Sequence, residues 1–98
     1  MDGLIILQPY ARMILDGEKQ YEYRKYKPPT DKINVPIYLI SEKKVHGEIA
    51  IGDFKYNQIR HNWFWYIRIL KKYKKPKSYN YKNGQQIWVK DVILDGED

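Results

Sequence analysis

Gly17-Glu18-Lys19-Gln20-Tyr21-Glu22-Tyr23-Arg24 brings a lysine, a carboxylate and a guanidinium close together and interleaves them with two tyrosines. Upstream, Ala11, Ile14 and Leu15 fall at i, i+3 and i+4, one face of a short helix, which Gly17 is suited to end. Tyrosines at alternate positions favour a strand from Tyr21 onward. In that strand Glu22 and Arg24 share one face, while Lys19, Tyr21 and Tyr23 tend toward the other. A helix this short must lean on a sheet, so the stretch reads as a helix-to-strand junction in a β-rich chain.

Working outward, Leu4 to Leu7 is an apolar run suited to a strand buried on both faces. Pro9 fits the first turn of the helix, where Arg12 and Asp16 can pair. Two prolines in Lys27-Pro28-Pro29-Thr30-Asp31 cannot donate to a ladder, so residues 25 to 34 read as a loop. Val35 to Ser41 is strand-like with Pro36 at its beginning, Glu42-Lys43-Lys44 is a turn, and Val45 to Phe54 is the next strand. Gly47 within it signals a bulge or a close backbone approach. Asp53 to Asn62 reads as an irregular or briefly helical crossing. Trp63 to Leu70 reads as an aromatic strand, although a continuous apolar run also suits a helix. Lys71 to Lys77 is expected as a basic loop. Asn83-Gly84 is a turn before a final strand from Gln86 to Leu94, and Asp95 to Asp98 reads as a frayed acidic tail. The sum is a mainly β, α+β chain of five to six strands with one or two short helices, curled into a sheet or barrel.

Ninety-eight residues, 43% of them hydrophobic, are expected to fold as a single domain over 1–98. Without cysteine, disulfides, a thiol nucleophile and cysteine-ligated zinc are excluded. The N-terminal apolar run is too short for a signal-peptide core or a membrane span, and a cytoplasmic setting is expected. Charge is segregated: residues 1–54 carry eight basic and eight acidic groups, 55–90 carry ten basic groups and no acid, and 91–98 carry four acids. The net charge of +6 thus arises from one segment. Such a region attracts polyanions, nucleic acid foremost, unless it serves only as a solvated surface.

The signature glycine, any residue, lysine, any two, glutamate, any residue, arginine stands here as Gly17, Lys19, Glu22 and Arg24 and resembles that of the ASCH domain family, related to PUA domains. Leu7-Gln8-Pro9-Tyr10-Ala11 is similar to the family's opening, His46-Gly47-Glu48-Ile49 to its central strand, and Lys75-Pro76 with Tyr81 to Trp88 to its closing segment. The resemblance implies a small PUA-like β-barrel with a substrate cleft lined by Lys19, Glu22 and Arg24.

Those three residues have two readings. In one, Lys19 and Arg24 hold a phosphate while Glu22 orients a cation or accepts from a base amino group; in the other, Glu22 and Arg24 are a surface pair of small energetic weight. Tyr21 and Tyr23, with Tyr10, Tyr26, Trp63, Trp65 and Trp88, offer faces for base stacking, or fill a small core. Arg68, Lys71, Lys72, Lys74 and Lys75 would add sequence-independent phosphate attraction, or simply keep a loop soluble. Single-stranded RNA or a nucleotide-like ligand is the expected partner. Catalysis through Lys19, Glu22 and Arg24 is the alternative, as a ribonuclease or a modified-nucleoside amidohydrolase; a protein-interaction module is a third. The family's amidohydrolases use a lysine, a threonine and a distant glutamate, and here Glu22 occupies the threonine's place. His46 and His61 have no metal-ligand spacing, so no metal and no cofactor are expected. Oligomeric state stays open.

Overall fold

The computed structural model describes residues 1–96. Six strands, β1 (Gly3–Ile5), β2 (Tyr21–Arg24), β3 (Ile37–Ser41), β4 (Lys44–Asn57), β5 (Asn62–Lys77) and β6 (Trp88–Val89), form one sheet in the order β2-β5-β4-β3-β1-β6. Only β1 and β3 run parallel; the other neighbouring pairs are antiparallel. One short α-helix, α1 (Tyr10–Leu15), and a 3₁₀ turn at Thr30–Lys32 complete the regular elements among the described residues.

The junction forms as its residues dictate. Ala11, Ile14 and Leu15 are buried on one face of α1. Gly17 has φ +80°; its N–H donates to the Ile14 carbonyl at 3.1 Å and that of Glu18 to Met13 at 2.9 Å. This is the paired-bond termination that glycine permits by entering the left-handed region. Pro9 lies one step earlier than expected, at the N-cap, its carbonyl accepting from the Met13 N–H at 3.0 Å.

Asp53 to Asn62 is not a crossing but the end of a long β4–β5 hairpin. Cross-strand pairing of Phe54 with Trp65 and Tyr56 with Trp63 carries the ladder to its tip. There the Asn57 side chain accepts the Arg60 N–H at 2.9 Å and His61 turns the chain with φ +55°. Lys71 to Lys77 is likewise strand rather than loop. Lys71 and Lys72 pair with Glu48 and Gly47, and Lys77 pairs with Val45. His46 alone on β4 thus spans the four β5 residues 73–76, a bulge in which Pro76 has no ladder bond to lose. The final strand shrinks to Trp88–Val89, because Asp91 adopts φ +53° and leaves the ladder. Beyond it the chain is tied by single bonds, among them Val92 N–H to the Met1 carbonyl at 2.9 Å and Asp95 N–H to Ser78 at 2.9 Å. Of the expected acidic tail, Asp95 is therefore anchored, and residues 97–98 lie outside the described residues.

Glu42 and Lys43 both have positive φ, 51° and 63°, as a two-residue hairpin between β3 and β4 requires. Gly47 is the expected close approach: a Cβ there would stand 2.4 Å from the Lys71 carbonyl oxygen and 3.1 Å from Leu15 Cδ2. One core cluster, under α1, gathers Leu4, Ile6, Ala11, Ile14, Leu15, Ile37, Leu39, Ile49, Ile51, Trp65 and Ile67. A second gathers Ile40, Val45, Tyr73, Tyr79, Val89 and Val92.

The sheet is not closed into a barrel. Its order begins at β2 and ends at β6, and no ladder joins those edges among the described residues. It is strongly curled nonetheless. Trp65 on β5 and Trp88 on β6 are four strand positions apart, about 19 Å in a flat sheet at the usual spacing, yet their rings stack with centroids 6.3 Å apart. Register shifts along β4, at Val45/Gly47, Glu48/Ile49 and Ile51/Asp53, supply the bends that bring the edges face to face.

Candidate functional site

The gap between the two edges holds the signature residues. Glu22 points to the buried side of β2, opposite Trp65, and is 7% exposed. Its Oε2 accepts from Arg24 Nε at 2.7 Å, and its Oε1 lies 3.6 Å from Lys19 Nζ. All three side chains are largely shielded, at 10%, 19% and 13% exposure for Glu22, Arg24 and Lys19. The surface-pair reading is therefore set aside: this is a shielded cation–carboxylate–cation triad of net charge +1. Arg24 also donates from Nη2 to the Ile5 carbonyl at 2.9 Å, fastening β2 to β1 across the opening, and its guanidinium lies 5.9 Å from the Trp65 ring.

Lys19 departs from its expected face. It precedes β2, so strand alternation does not bind it, and its ammonium turns back to donate to the Tyr21 carbonyl as well as to meet Glu22. It sits 4.1 Å from the centroid of Tyr23 and 5.5 Å from that of Tyr10, a geometry in which ring quadrupoles attract the cation. Tyr21 and Tyr23 lie on the opposite face from Glu22, as alternation predicts.

Two clefts meet at Arg24. One, of about 430 Å³, is lined by Ile5, Leu7, Tyr10, Glu22, Tyr23, Arg24 and Gln86. The other, of about 370 Å³, is lined by Arg24, Tyr26, Lys27, Pro29, Trp65, Ile87 and Trp88. Arg24 lines both, and Gln86 of the first adjoins Ile87 of the second in the chain, so together they form one groove, polar at the triad and aromatic at the stacked indoles. Trp65 is core, its Nε1 donating to the Tyr26 carbonyl at 2.9 Å, whereas Trp88 is half-buried and Tyr26 exposed.

The remaining candidate residues are not brought to this groove. Lys72 and Lys74 line a different depression beside α1, with Gln8, Arg12, Asp16 and His46. Leu7 and Tyr10 wall the first groove and Gln8 and Arg12 the second, so the segment entering α1 divides them. Lys72 donates to Asp16, and that bond, more than the neighbouring Arg12, holds the Asp16 carboxyl below its ordinary value. Lys71, Lys75 and Arg68 are exposed on β5, Lys71 lying 5.6 Å from the Tyr73 ring centroid. His46 contacts the Ser41 carbonyl at 2.8 Å and His61 lies near the Tyr56 hydroxyl, both structural placements. Among the described residues no group of three or more histidine, cysteine, aspartate or glutamate side chains could hold a metal, and no helix is long and apolar enough to cross a membrane. Gln86, Ile87, Lys27 and Pro29 went unnoticed in the sequence as groove residues. The only signal for the first two was their place in the closing segment that resembles the family's.

A curled, mainly β domain with a shielded lysine–glutamate–arginine triad between its open edges defines a small cleft-bearing β class. The chain belongs to the ASCH domain family, whose profile matches residues 4–94. No curated protein matches it.

Proposed function

We propose that this ASCH domain, folding as one unit over 1–98, binds single-stranded RNA or a nucleotide-like ligand in the groove between β2 and β6. The observation that carries this reading is Arg24 at the junction of the two clefts, with the triad on one side and stacked indoles on the other. A nucleotide needs both surfaces, an aromatic face for its base and cations for its phosphate. The triad's surplus positive charge suits one phosphate. Arg68, Lys71, Lys72, Lys74 and Lys75 lie outside the groove and add attraction for the polyanion beyond it. Glu22 is engaged by two cations and offers no hydroxyl, which favours binding over acyl-transfer hydrolysis.

The test is fluorescence anisotropy of the purified protein with labelled oligouridylate of about 12 nucleotides, across a salt series, with Lys19→Gln alongside and a denaturing gel of the same mixtures. Affinity that falls steeply with salt, and falls further in Lys19→Gln, is the expected outcome. Equal binding by the variant would refute the groove as the site, and cleavage lost in the variant would make the protein a ribonuclease.

A further inference from the structure

A second aromatic surface lies on the outer face of the sheet. In the β2–β5 ladder Tyr21 pairs with Tyr66 and Tyr23 with Phe64. The intervening pair, Glu22 and Trp65, is buried, so strand alternation puts these four rings on the face away from the core. Ring centroids run 4.5 Å from Tyr23 to Phe64, 5.8 Å from Phe64 to Tyr21 and 5.8 Å from Tyr21 to Tyr66, a continuous file. Tyr23 and Tyr66 are 43% and 36% exposed. At the far end a Cβ on Gly52 would stand 3.3 Å from Tyr66 Cδ2 and 3.5 Å from Arg68 Nη1, so the bare backbone there seats both side chains.

Cations accompany the rings. Lys55, opposite Phe64 on β4, places its ammonium 5.7 Å from the Tyr21 centroid. Lys19 does the same 4.1 Å from Tyr23, and Arg68 follows Tyr66 two residues on, on the same face. Asp53, opposite Tyr66, is the acid here, and its Oδ1 is occupied by the Phe54 N–H at 2.8 Å. Cross-strand aromatic pairs stabilise a sheet by themselves. That role accounts for the contacts but not for Lys55 and Arg68 set along a solvent-facing file that begins at the groove wall, where Tyr23 belongs to both surfaces and meets the shielded Lys19.

We propose that this face is a stacking platform for single-stranded nucleic acid. A strand leaving the groove crosses the β2 edge at Tyr23 and continues over Phe64, Tyr21 and Tyr66, its bases on the rings and its phosphates near Lys19, Lys55 and Arg68. Stacking on bare ring faces is tolerant of base identity, so this segment adds affinity without adding sequence preference. The proposal rests on the groove reading and extends it to a longer ligand.

The experiment compares UMP with oligouridylate and oligothymidylate of about 12 nucleotides, by anisotropy or competition, for wild type, Phe64→Leu/Tyr66→Leu and Lys19→Gln, with circular dichroism melts as a folding control. Wild type is expected to bind the oligomers more tightly than UMP. The double variant should lose at least about tenfold in oligomer affinity with UMP binding unchanged, while Lys19→Gln weakens both. Ring-proton shifts of Tyr21, Phe64 and Tyr66 on titration of wild type give the same answer if the double variant does not fold. Unchanged oligomer affinity, or silent ring protons while UMP still binds, would overturn the platform and leave the groove standing. Absence of all binding by wild type would overturn both, and ring shifts that follow protein concentration alone would make the face a self-association surface instead.

Discussion

Arg24→Lys should unfold at a markedly lower temperature although it preserves the charge. Arg24 donates from two nitrogens in two directions, Nε to Glu22 at 2.7 Å and Nη2 to the Ile5 carbonyl at 2.9 Å. Lysine carries one nitrogen and cannot span both acceptors. One charge-assisted bond is lost, worth about 1.5–3 kcal/mol net. Little water can replace it, because the three triad side chains are at most 19% exposed. At about 2 kcal/mol, and roughly 4–8 °C per kcal/mol for a domain of this size, the midpoint should fall by about 8–16 °C. Circular dichroism melts at fixed pH and salt measure it. Arg12→Lys serves as control: Arg12 is 59% exposed and 3.7 Å from Asp16, a pair worth well under 1 kcal/mol. A midpoint for Arg24→Lys within about 2 °C of that control would refute the view that Arg24 fastens β2 to β1 across the opening.

Two further outcomes concern contacts elsewhere in the sheet. Gly47→Ala should cost about 3 kcal/mol or more in urea unfolding, since its Cβ would meet the Lys71 carbonyl at 2.4 Å and backbone cannot rotate away as a side chain can; an unchanged midpoint would mean that β4 and β5 separate freely there. Asp2 is held below its ordinary pKa of 3.8, first by the Asp91 N–H and then by Lys32, so its contribution to stability is present above that value and is lost as pH falls through the lowered folded value; Asp2→Asn should therefore be less stable than wild type near neutrality, and in denaturant titrations the difference should shrink as pH falls through that lowered value.

Local chemistry was legible in the sequence and long-range pairing was not. The end of α1 at Gly17 and the alternation of Tyr21, Glu22 and Tyr23 depend on near neighbours, and both stand as read. Lys71 to Lys77 misled because five lysines and a proline look solvated. What makes them strand is β4, which supplies pairing partners on either side of a four-residue bulge. The tip at 57–62 misled because polar residues marked a break where the sheet merely turns. In the site, the lysine, glutamate and arginine were evident. Their burial was not, since it depends on Trp65 across the ladder and on Ile5, nineteen residues from Arg24.

The missing ladder between β2 and β6 has a consequence for the groove. Had the edges paired, their backbone donors and acceptors would be consumed and the strands would stand about 4.8 Å apart, too close to admit a ring between them. A side-chain clasp from β2 to Ile5 on β1, the strand beside β6, spans the opening while keeping the space around it open. Arg24 is suited to this task because a guanidinium presents several donors in one plane, and it does so while lying 5.9 Å from the Trp65 ring centroid and lining both clefts. Glu22 makes the arrangement tolerable, since two shielded cations without a carboxylate between them would repel. Arg24, braced by Glu22, therefore holds β2 to β1 across the opening before any ligand is met. Substituting them to probe binding perturbs the groove itself, which is why Lys19, joined to the triad at 3.6 Å and not part of the β2–β1 fastening, is the residue on which the binding test is built.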